Sequence, residues 1–383
     1  MSQRSENLEQ FAIDVILERR RGFRAALLRG LLYALSFIYE RLVQLRLFLY
    51  RHRIFREHTL GCLVISIGNL TVGGTGKTPI VEKFARALRA GGRRVAILSR
   101  GYKSVPRPAP RKGFFSKKEP QPPRVVSDGK SLLLDSRTAG DEPYMLANNL
   151  KDVVVLVDKD RVKSGLYAIK ELKADTLLLD DGLQYLHLKH RLDIVLIDRQ
   201  APFGNEHLLP RGTLREPPRN LRRASYIFIT KSTGEPNDEL IRRIRRYNRT
   251  AEIIECAHKP LHLQNVLTAE QIPLERLRDT YVGSICGIAA PESFEDGLRK
   301  LGARIELSKR YTDHHRYTDA ELQSFVTRCV RRDLEMIVTT EKDAVRFPKL
   351  DRRDLRILFM RVEIKILKGA TDFNDCVRQI CFR

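Results

Sequence analysis

Beyond residue 62, short and wholly apolar runs alternate with stretches long enough to hold a helix. The runs are LVISI (63–67), VAIL (95–98), VVVLV (153–157), TLLLD (176–180), IVLI (194–197) and YIFIT (226–230). Strands with no polar face must be covered on both sides, so the pattern predicts a buried, mainly parallel sheet in a doubly wound α/β fold. Near residues 270–275 this series ends. A second begins at Tyr281 (YVGSICGI) and continues through RIEL, MIVTT (336–340) and LRILFM (355–360), which predicts a second, smaller α/β lobe.

Two segments break the pattern. Residues 23–56 hold an uncharged run from Gly30 to Tyr39 (GLLYALSFIY) flanked by Arg24, Arg29, Arg41, Arg46, Arg51, Arg53 and Arg56. The run is about half the ~20 apolar residues that a spanning helix needs. A basic, apolar helix of this kind suits the headgroup layer, with its arginines on lipid phosphates; the alternative is an amphipathic helix packed on the protein's own core. The stretch between Lys103 and Val125, rich in Pro, Lys and Arg and without a period, reads as a mobile basic loop.

Composition narrows the class of partner. The 383 residues are 42% hydrophobic and 31% charged, as in globular proteins, and 70 Lys and Arg against 47 Asp and Glu leave a formal charge of +23. That excess calls for a polyanion: nucleic acid, an anionic membrane surface or a phosphorylated substrate. Six cysteines show no CxxC pairing, and the N-terminus lacks the basic-then-apolar layout of a secretory signal. A reducing compartment, with the catalytic part in the cytoplasm, is expected.

Candidate chemistry centres on residues 65–78. The apolar run ends in Thr71, Val72, Gly73, Gly74, Thr75, Gly76, Lys77 and Thr78, followed by a helix-forming stretch, which is the context a P-loop requires. The glycines let backbone N–H groups crowd around phosphate oxygens, Lys77 reaches the terminal phosphates, and the Thr78 hydroxyl is a ligand for Mg²⁺. Thr71 stands where the common pattern has its first Gly. Asp180 and Asp181, closing TLLLD, are the acidic partners expected for Mg²⁺, and Asp198 is a weaker competitor of the same shape. Asp141 in GDEP is a candidate base or a helix cap; after Asp313, His314 and His315 cluster near a turn, where a His could share the proton of a catalytic carboxylate and hold it in place, the alternative being a structural role or a metal site. Without cysteines or ligand spacing nearby, zinc is discounted there.

Taken together these motifs resemble the tetraacyldisaccharide 4'-kinase family, which phosphorylates a lipid A precursor at the cytoplasmic face of the bacterial inner membrane. The resemblance covers LLYALSFIYERLVQLR, GNLTVGGTGKTP, LSRGYKS, GDEPYMLA, LDDGLQYLHLKHRLDIVLID, LLPRGTLREP, CGIAAPESF, DHHRYT and TTEKDAVRF, in that order along most of the chain. It implies that Lys77 and Thr78 bind ATP phosphates and Mg²⁺, that Asp180 and Asp181 form a Walker-B-like pair, and that Glu216 is a further metal ligand. Asp141 falls on the family's base and His314 on its partner, with His315 also in reach. Closing of two lobes would then bring His314 to Asp141. Leu183 and Tyr185 depart from the family's usual Phe and His, leaving His187 as a possible substitute. The implied acceptor is a glycolipid, tetraacyldisaccharide 1-phosphate, met at the membrane surface through the N-terminal helix by a peripheral or monotopic enzyme. No nucleic-acid partner and no obligate protein partner are expected. The runner-up is a P-loop partition or assembly ATPase acting at a membrane or on nucleic acid. Thr230 and Lys231, after YIFIT, form a candidate base-recognition turn. The implied division is a membrane-associating segment over 1–60, a P-loop kinase core over 61–270 and a C-terminal lobe over 271–383.

Overall fold

The computed structural model describes residues 3–102, 104–106, 121–348 and 354–382. In chain order the elements are α1 (Gln3–Ile16), α2 (Phe23–Arg51), β1 (Leu63–Asn69), α3 (Lys77–Ala90), β2 (Val95–Ser99), β3 (Arg124–Asp128), α4 (Ser136–Ala139), α5 (Asp141–Asn149), β4 (Val154–Val157), α6 (Arg161–Lys170), β5 (Thr176–Asp180), β6 (Leu192–Asp198) and β7 (Tyr226–Thr230). There follow α7 (Asp238–Tyr247), β8 (Glu252–Asn265), β9 (Gln271–Ile272), β10 (Tyr281–Cys286), α8 (Pro291–Lys300), β11 (Arg304–Arg310), α9 (Asp319–Val330), β12 (Met336–Thr340), α10 (Glu341–Ala344), β13 (Arg356–Lys368) and α11 (Ala370–Cys381). Every apolar run named above supplies a strand. Of the basic segment between Lys103 and Val125, residues 103 and 107–120 lie outside the described residues, and its last two positions already belong to β3 rather than to a loop.

The chain forms two compact units, each discontinuous in sequence. The first takes residues up to Lys77, then Thr176–Ala257 and Ile366–Arg383; the second takes Thr78–Asp175 and His258–Lys365.

In the first unit five strands pair in parallel in the order β8-β7-β6-β1-β5. The register sets Ile67 beside Asp180 and Asp198 beside Thr230, so these residues and the loop after Asn69 share the carboxyl edge, where ligands of such sheets bind. The core under this edge contains Leu70, Leu183, Phe203, Leu214, Ile227 and Ile244. Helix α2 packs differently. Only Ala25 and Ser36 of its 29 residues are buried, while Phe23 is 84% and Leu27 68% exposed, so core packing does not explain its apolar residues. Polar contacts hold it instead: Ser36 donates to the Leu208 carbonyl at 2.8 Å and accepts from the Arg211 N–H at 3.0 Å, and Tyr39 donates to the Arg215 carbonyl at 3.0 Å. No described helix is long and apolar enough to cross a membrane.

In the second unit β11-β10-β12-β13 pair in parallel, β2 pairs in parallel with β4, and β3 joins β4 antiparallel. Helix α3 buries Ile80, Val81, Phe84, Ala85 and Leu88, one stripe at helical spacing. A second core gathers Ile285, Tyr317, Leu322, Phe325 and Ile337. Helix α9 starts with a capping box between Thr318 and Glu321. A buried ion network ties Glu82 of α3, Arg361 of β13 and Glu341 of α10 together, and Glu341 also accepts from Asn149 of α5 at 2.6 Å.

One close approach is testable. A Cβ built on Gly68 would stand 2.7 Å from the Leu183 Cβ and 2.9 Å from its backbone nitrogen. Gly68→Ala is therefore expected to destabilise the protein by about 1–3 kcal/mol, read as a lower urea midpoint at unchanged slope. An unchanged midpoint would mean that the turn after β5 yields freely.

Candidate active site

Two clusters of charged side chains stand out, one in each unit. In the first, the chain leaves β1 at Asn69, turns through Gly73 at φ +114 and Gly76 at φ +78, and enters α3 at Lys77. Those φ values are open to glycine and strained for other residues. The loop is pinned on one side by the Val72 N–H donating to the Thr213 carbonyl at 2.7 Å, and on the other by the Thr230 hydroxyl donating to the Thr75 carbonyl at 2.9 Å. The Thr75 hydroxyl is buried and has no partner among the described residues. A buried, unmatched hydroxyl inside a glycine loop is what a phosphate oxygen would satisfy.

Beside the loop, Lys77 Nζ donates to Asp181 Oδ1 at 2.8 Å and Asn69 Oδ1 at 3.2 Å. Arg215 Nη1 grips both Asp181 oxygens, at 2.9 and 2.8 Å. Burial opposes the charged form of Asp181, but the Lys77 and Arg215 charges outweigh it and hold the carboxyl below its ordinary value. Glu216, the next residue, is committed elsewhere. It is 3% exposed and accepts from Asn220 at 2.8 Å and from Arg223 at 2.7 Å. Asp198 is tied to Lys231 at 2.5 Å. Among the described residues no group of three or more His, Cys, Asp or Glu could hold a metal ion. That is compatible with Mg²⁺, which keeps waters and phosphate oxygens and takes few protein ligands.

In the second unit Asp141 is the first residue of α5, with Gly140 as the cap, so its carboxylate is not spent on capping. The side chain is buried, and its partners are all basic. Arg346 Nε donates to Oδ2 at 2.8 Å, Arg316 Nη2 donates to Oδ1 at 3.0 Å, and His314 Nδ1 stands 3.4 Å from Oδ2. Burial again opposes ionisation, while His314, Arg346 and Arg316 draw the carboxyl below its usual range. His314 has φ +64, a conformation that a non-glycine residue holds only where its surroundings impose it. Its Nε2 meets Lys342 Nζ at 3.4 Å, and Lys342 pairs with Glu142 at 3.1 Å. His315 turns away, bonding Glu321 at 3.2 Å and stacking on Tyr311.

Several expectations are corrected or completed here. His314 and Asp141 belong to one compact unit and already touch, so their meeting requires no closing of separate lobes. Of the two histidines, His314 is the one at Asp141. His187, the possible substitute for a histidine at 185, is exposed and packs its ring on His58 at 4.6 Å. The arginines that fix both aspartates, Arg215, Arg316 and Arg346, and Lys342, which meets His314 and Glu142, carried no sequence-based assignment. They stood inside LREP, DHHRYT and TTEKDAVRF, but a buried arginine is recognised by its partners, and these come from segments more than 30 residues away.

A glycine loop that closes one strand and opens a helix, with an aspartate ending the neighbouring parallel strand, places this protein in the P-loop class of nucleotide enzymes. The comparisons go further. Residues 28–381 match the family described as Tetraacyldisaccharide-1-P 4'-kinase, LpxK, and the chain belongs to that family. It is 32% identical to a tetraacyldisaccharide 4'-kinase of Halothermothrix orenii over 98% of each chain. It is 39% identical to one from Anaeromyxobacter dehalogenans, over 84% of this chain and 82% of that one. Among solved structures it is similar to LpxK from Aquifex aeolicus, an "apo" form described as a complex with ATP. The TM-score is 0.72 at 28% identity, covering 93% of this chain and all of that one.

Glu216 gives a prediction. If its carboxylate serves to neutralise Arg223, Glu216→Ala leaves a guanidinium without its partner and should destabilise the fold by about 3–5 kcal/mol in urea titrations. A variant as stable as the parent would free Glu216 for a ligand-binding role.

Proposed function

We propose that this chain transfers the γ-phosphoryl group of ATP to the 4'-hydroxyl of a tetraacyldisaccharide 1-phosphate, a step of lipid A biosynthesis. The observation that carries the reading is the buried Asp141–His314 contact in a chain that also has the glycine loop, because a nucleotide switch needs the loop alone, whereas a kinase also needs a group to receive the acceptor's proton. The partition or assembly ATPase reading is not favoured, since the family match extends through Asp141, His314 and Arg346.

In this mechanism the backbone of Thr71 to Gly76 and the unmatched Thr75 hydroxyl cradle the phosphates. Lys77 leaves Asp181 for the phosphate oxygens, and Arg215 stays behind to keep Asp181 neutralised. Thr78 and Asp180 offer a hydroxyl and a carboxylate, hard oxygen donors suited to Mg²⁺. Asp181 and Glu216, already held by arginines, act as positioning groups. A bound Mg²⁺ would neutralise charge on the β- and γ-phosphate oxygens. Asp141 orients the acceptor hydroxyl and takes its proton as the oxygen attacks phosphorus, and His314 supports the carboxylate as it changes charge.

The acceptor's acyl chains stay in the bilayer, so the enzyme must work at the membrane surface. Helix α2 is suited to that contact, because its leucines and aromatics face outward beside Arg24, Arg29, Arg41, Arg46 and Arg51. A peripheral or monotopic position on the cytoplasmic face of the inner membrane follows from this reading.

The direct assay is incubation with γ-labelled ATP and the disaccharide lipid. Label should appear in the lipid, and nucleotide consumed without lipid label would refute the kinase. Asp141→Asn should lower kcat by about 10²–10⁴-fold while the KM for ATP stays within about twofold; near-normal turnover would remove Asp141 from the mechanism. For the membrane, Leu27→Asp, Leu31→Asp and Leu42→Asp combined change only solvent-facing residues and should abolish co-sedimentation with anionic vesicles. Continued sedimentation would place the anchor elsewhere.

A further inference from the structure

We infer that Arg346 is a positioning residue for phosphoryl transfer, which holds Asp141 and His314 side by side as two proton acceptors so that one proton can settle between them. The inference rests on the kinase reading and adds to it the group that prepares the base.

Arg346 is fully buried at its side chain, and each of its three nitrogens is engaged. Nε goes to Asp141 Oδ2 at 2.8 Å and Nη2 to His314 Nδ1 at 3.2 Å, so one face of the planar fork bridges the carboxylate and the imidazole. Nη1 goes to the Gly287 carbonyl at 3.0 Å and Asp343 Oδ1 at 3.2 Å. Asp343 is itself fixed by the Tyr317 hydroxyl at 3.0 Å and the Thr340 hydroxyl at 2.6 Å, so the fork has no freedom to turn.

A guanidinium only donates and does not give up its proton. Nδ1 presents a lone pair to Nη2 at 3.2 Å, a closer donor than the Lys342 ammonium is to Nε2 at 3.4 Å, and the ring proton is assigned to Nε2, where Asp313 Oδ2 at 3.9 Å is the acceptor on that side. Asp141 Oδ2 and His314 Nδ1 then face each other as two acceptors at 3.4 Å, too long for a good hydrogen bond and close enough to become one. In the reaction the acceptor's O–H bond breaks and its proton passes to Asp141, while the oxygen lone pair forms the new bond to phosphorus. The bond from phosphorus to the bridging oxygen of ATP breaks, and ADP leaves with that electron pair. The proton on Asp141 then has a bare nitrogen beside it to bond. Arg346 is what keeps that nitrogen bare and the carboxylate ionised.

The other groups facing the pair cannot do this. Arg316 binds the far oxygen of Asp141 from a position 35% exposed, Lys342 and Asp313 lie on the Nε2 side, and Tyr102 meets the imidazole edge-on with ring centres 5.5 Å apart. Glu142 is held by Lys342.

The test compares Arg346→Met, Arg346→Lys and Asp141→Asn/Arg346→Met with the parent, with thermal melting run alongside. Asp141 must be ionised to act, and Arg346 favours the ionised form, so its loss should move the acid limb of the kcat/KM profile upward by about one pH unit. In Arg346→Met kcat should fall on the order of 10²-fold with little change in the KM for ATP. Because Arg346 acts through Asp141, the double variant should be no slower than Asp141→Asn alone. Arg346→Lys keeps the charge and loses the fork: its acid limb should stay near the parent's while kcat drops. This variant decides the matter if Arg346→Met does not fold. Nitrogen chemical shifts of His314 should report the Nε2–H form in the parent and a shift toward Nδ1–H in the methionine variant, a readout independent of lipid phosphorylation. An unmoved acid limb in folded Arg346→Met, multiplying losses in the double variant, parental kcat in Arg346→Lys, or an Nδ1–H ring in the parent would each overturn the proposal. Absence of label transfer by the parent itself would instead sink the kinase reading.

Discussion

A carboxylate withdrawn from water must find a cation or surrender its charge, and at both charged clusters this protein meets that constraint chiefly with arginine. Arg215 grips Asp181 beside the glycine loop, Arg223 neutralises Glu216, Arg346 and Arg316 take one oxygen each of Asp141, and Arg361 joins Glu82 to Glu341. Lysine would not serve in the same way. A guanidinium presents several donors in a fixed plane and can hold two acceptors at once, as Arg346 does with a carboxylate and an imidazole. Pairs of this kind cancel in the charge sum. The excess of +23 therefore belongs to residues outside them, such as the arginines along α2 and α7.

The sequence announced the strands of the carboxyl edge because both of their faces are covered and the apolar runs are unbroken. It concealed β3 and most of β8. β3 is a five-residue antiparallel strand with only two positions buried, and β8 carries Glu, His, Lys and Pro along half-exposed stretches, so neither has the continuous run that betrays a central strand. The glycine loop was legible from spacing alone, since its glycines and lysine are contiguous. The two aspartates were legible as candidates, being polar residues at the end of apolar runs or the start of a helix. Their arginines were not, because a partner brought by the fold from Arg215 to Asp181, or from Arg346 to Asp141, leaves no trace in local pattern.

Three of the eleven non-glycine residues with positive φ among the described residues belong to these charged clusters. Asp181 has φ +55, Lys231 φ +56 and His314 φ +64, all in the left-handed region. Each of the three follows a strand end or a tight turn, and each side chain is engaged by charged or hydrogen-bonding partners: Asp181 by Lys77 and Arg215, Lys231 by Asp198, His314 by Arg346. A conformation disfavoured by roughly 1–3 kcal/mol persists only where such contacts over-determine it. Asp181, Asp198 and His314 drew attention by residue type before any geometry was known, and the backbone at Asp181, at His314 and at the lysine that holds Asp198 is strained as well.

The apolar face of α2 and the phosphate-side arginine are linked by one stretch of chain. Segment 207–220 receives α2 through Ser36, Tyr39 and Gln44, and the same segment zips onto the glycine loop and delivers Arg215 to Asp181. Tyr39 donates to the carbonyl of Arg215 itself, and the Arg215 N–H donates to the Leu70 carbonyl at 2.7 Å. A helix whose leucines face outward would gain little from folding on its own, so these polar anchors are what fix its position. They also put α2 a single hydrogen bond, from Tyr39, away from the backbone that carries Arg215. Helix α2, with its outward leucines, is thus built on the same segment that sets the charge beside Lys77.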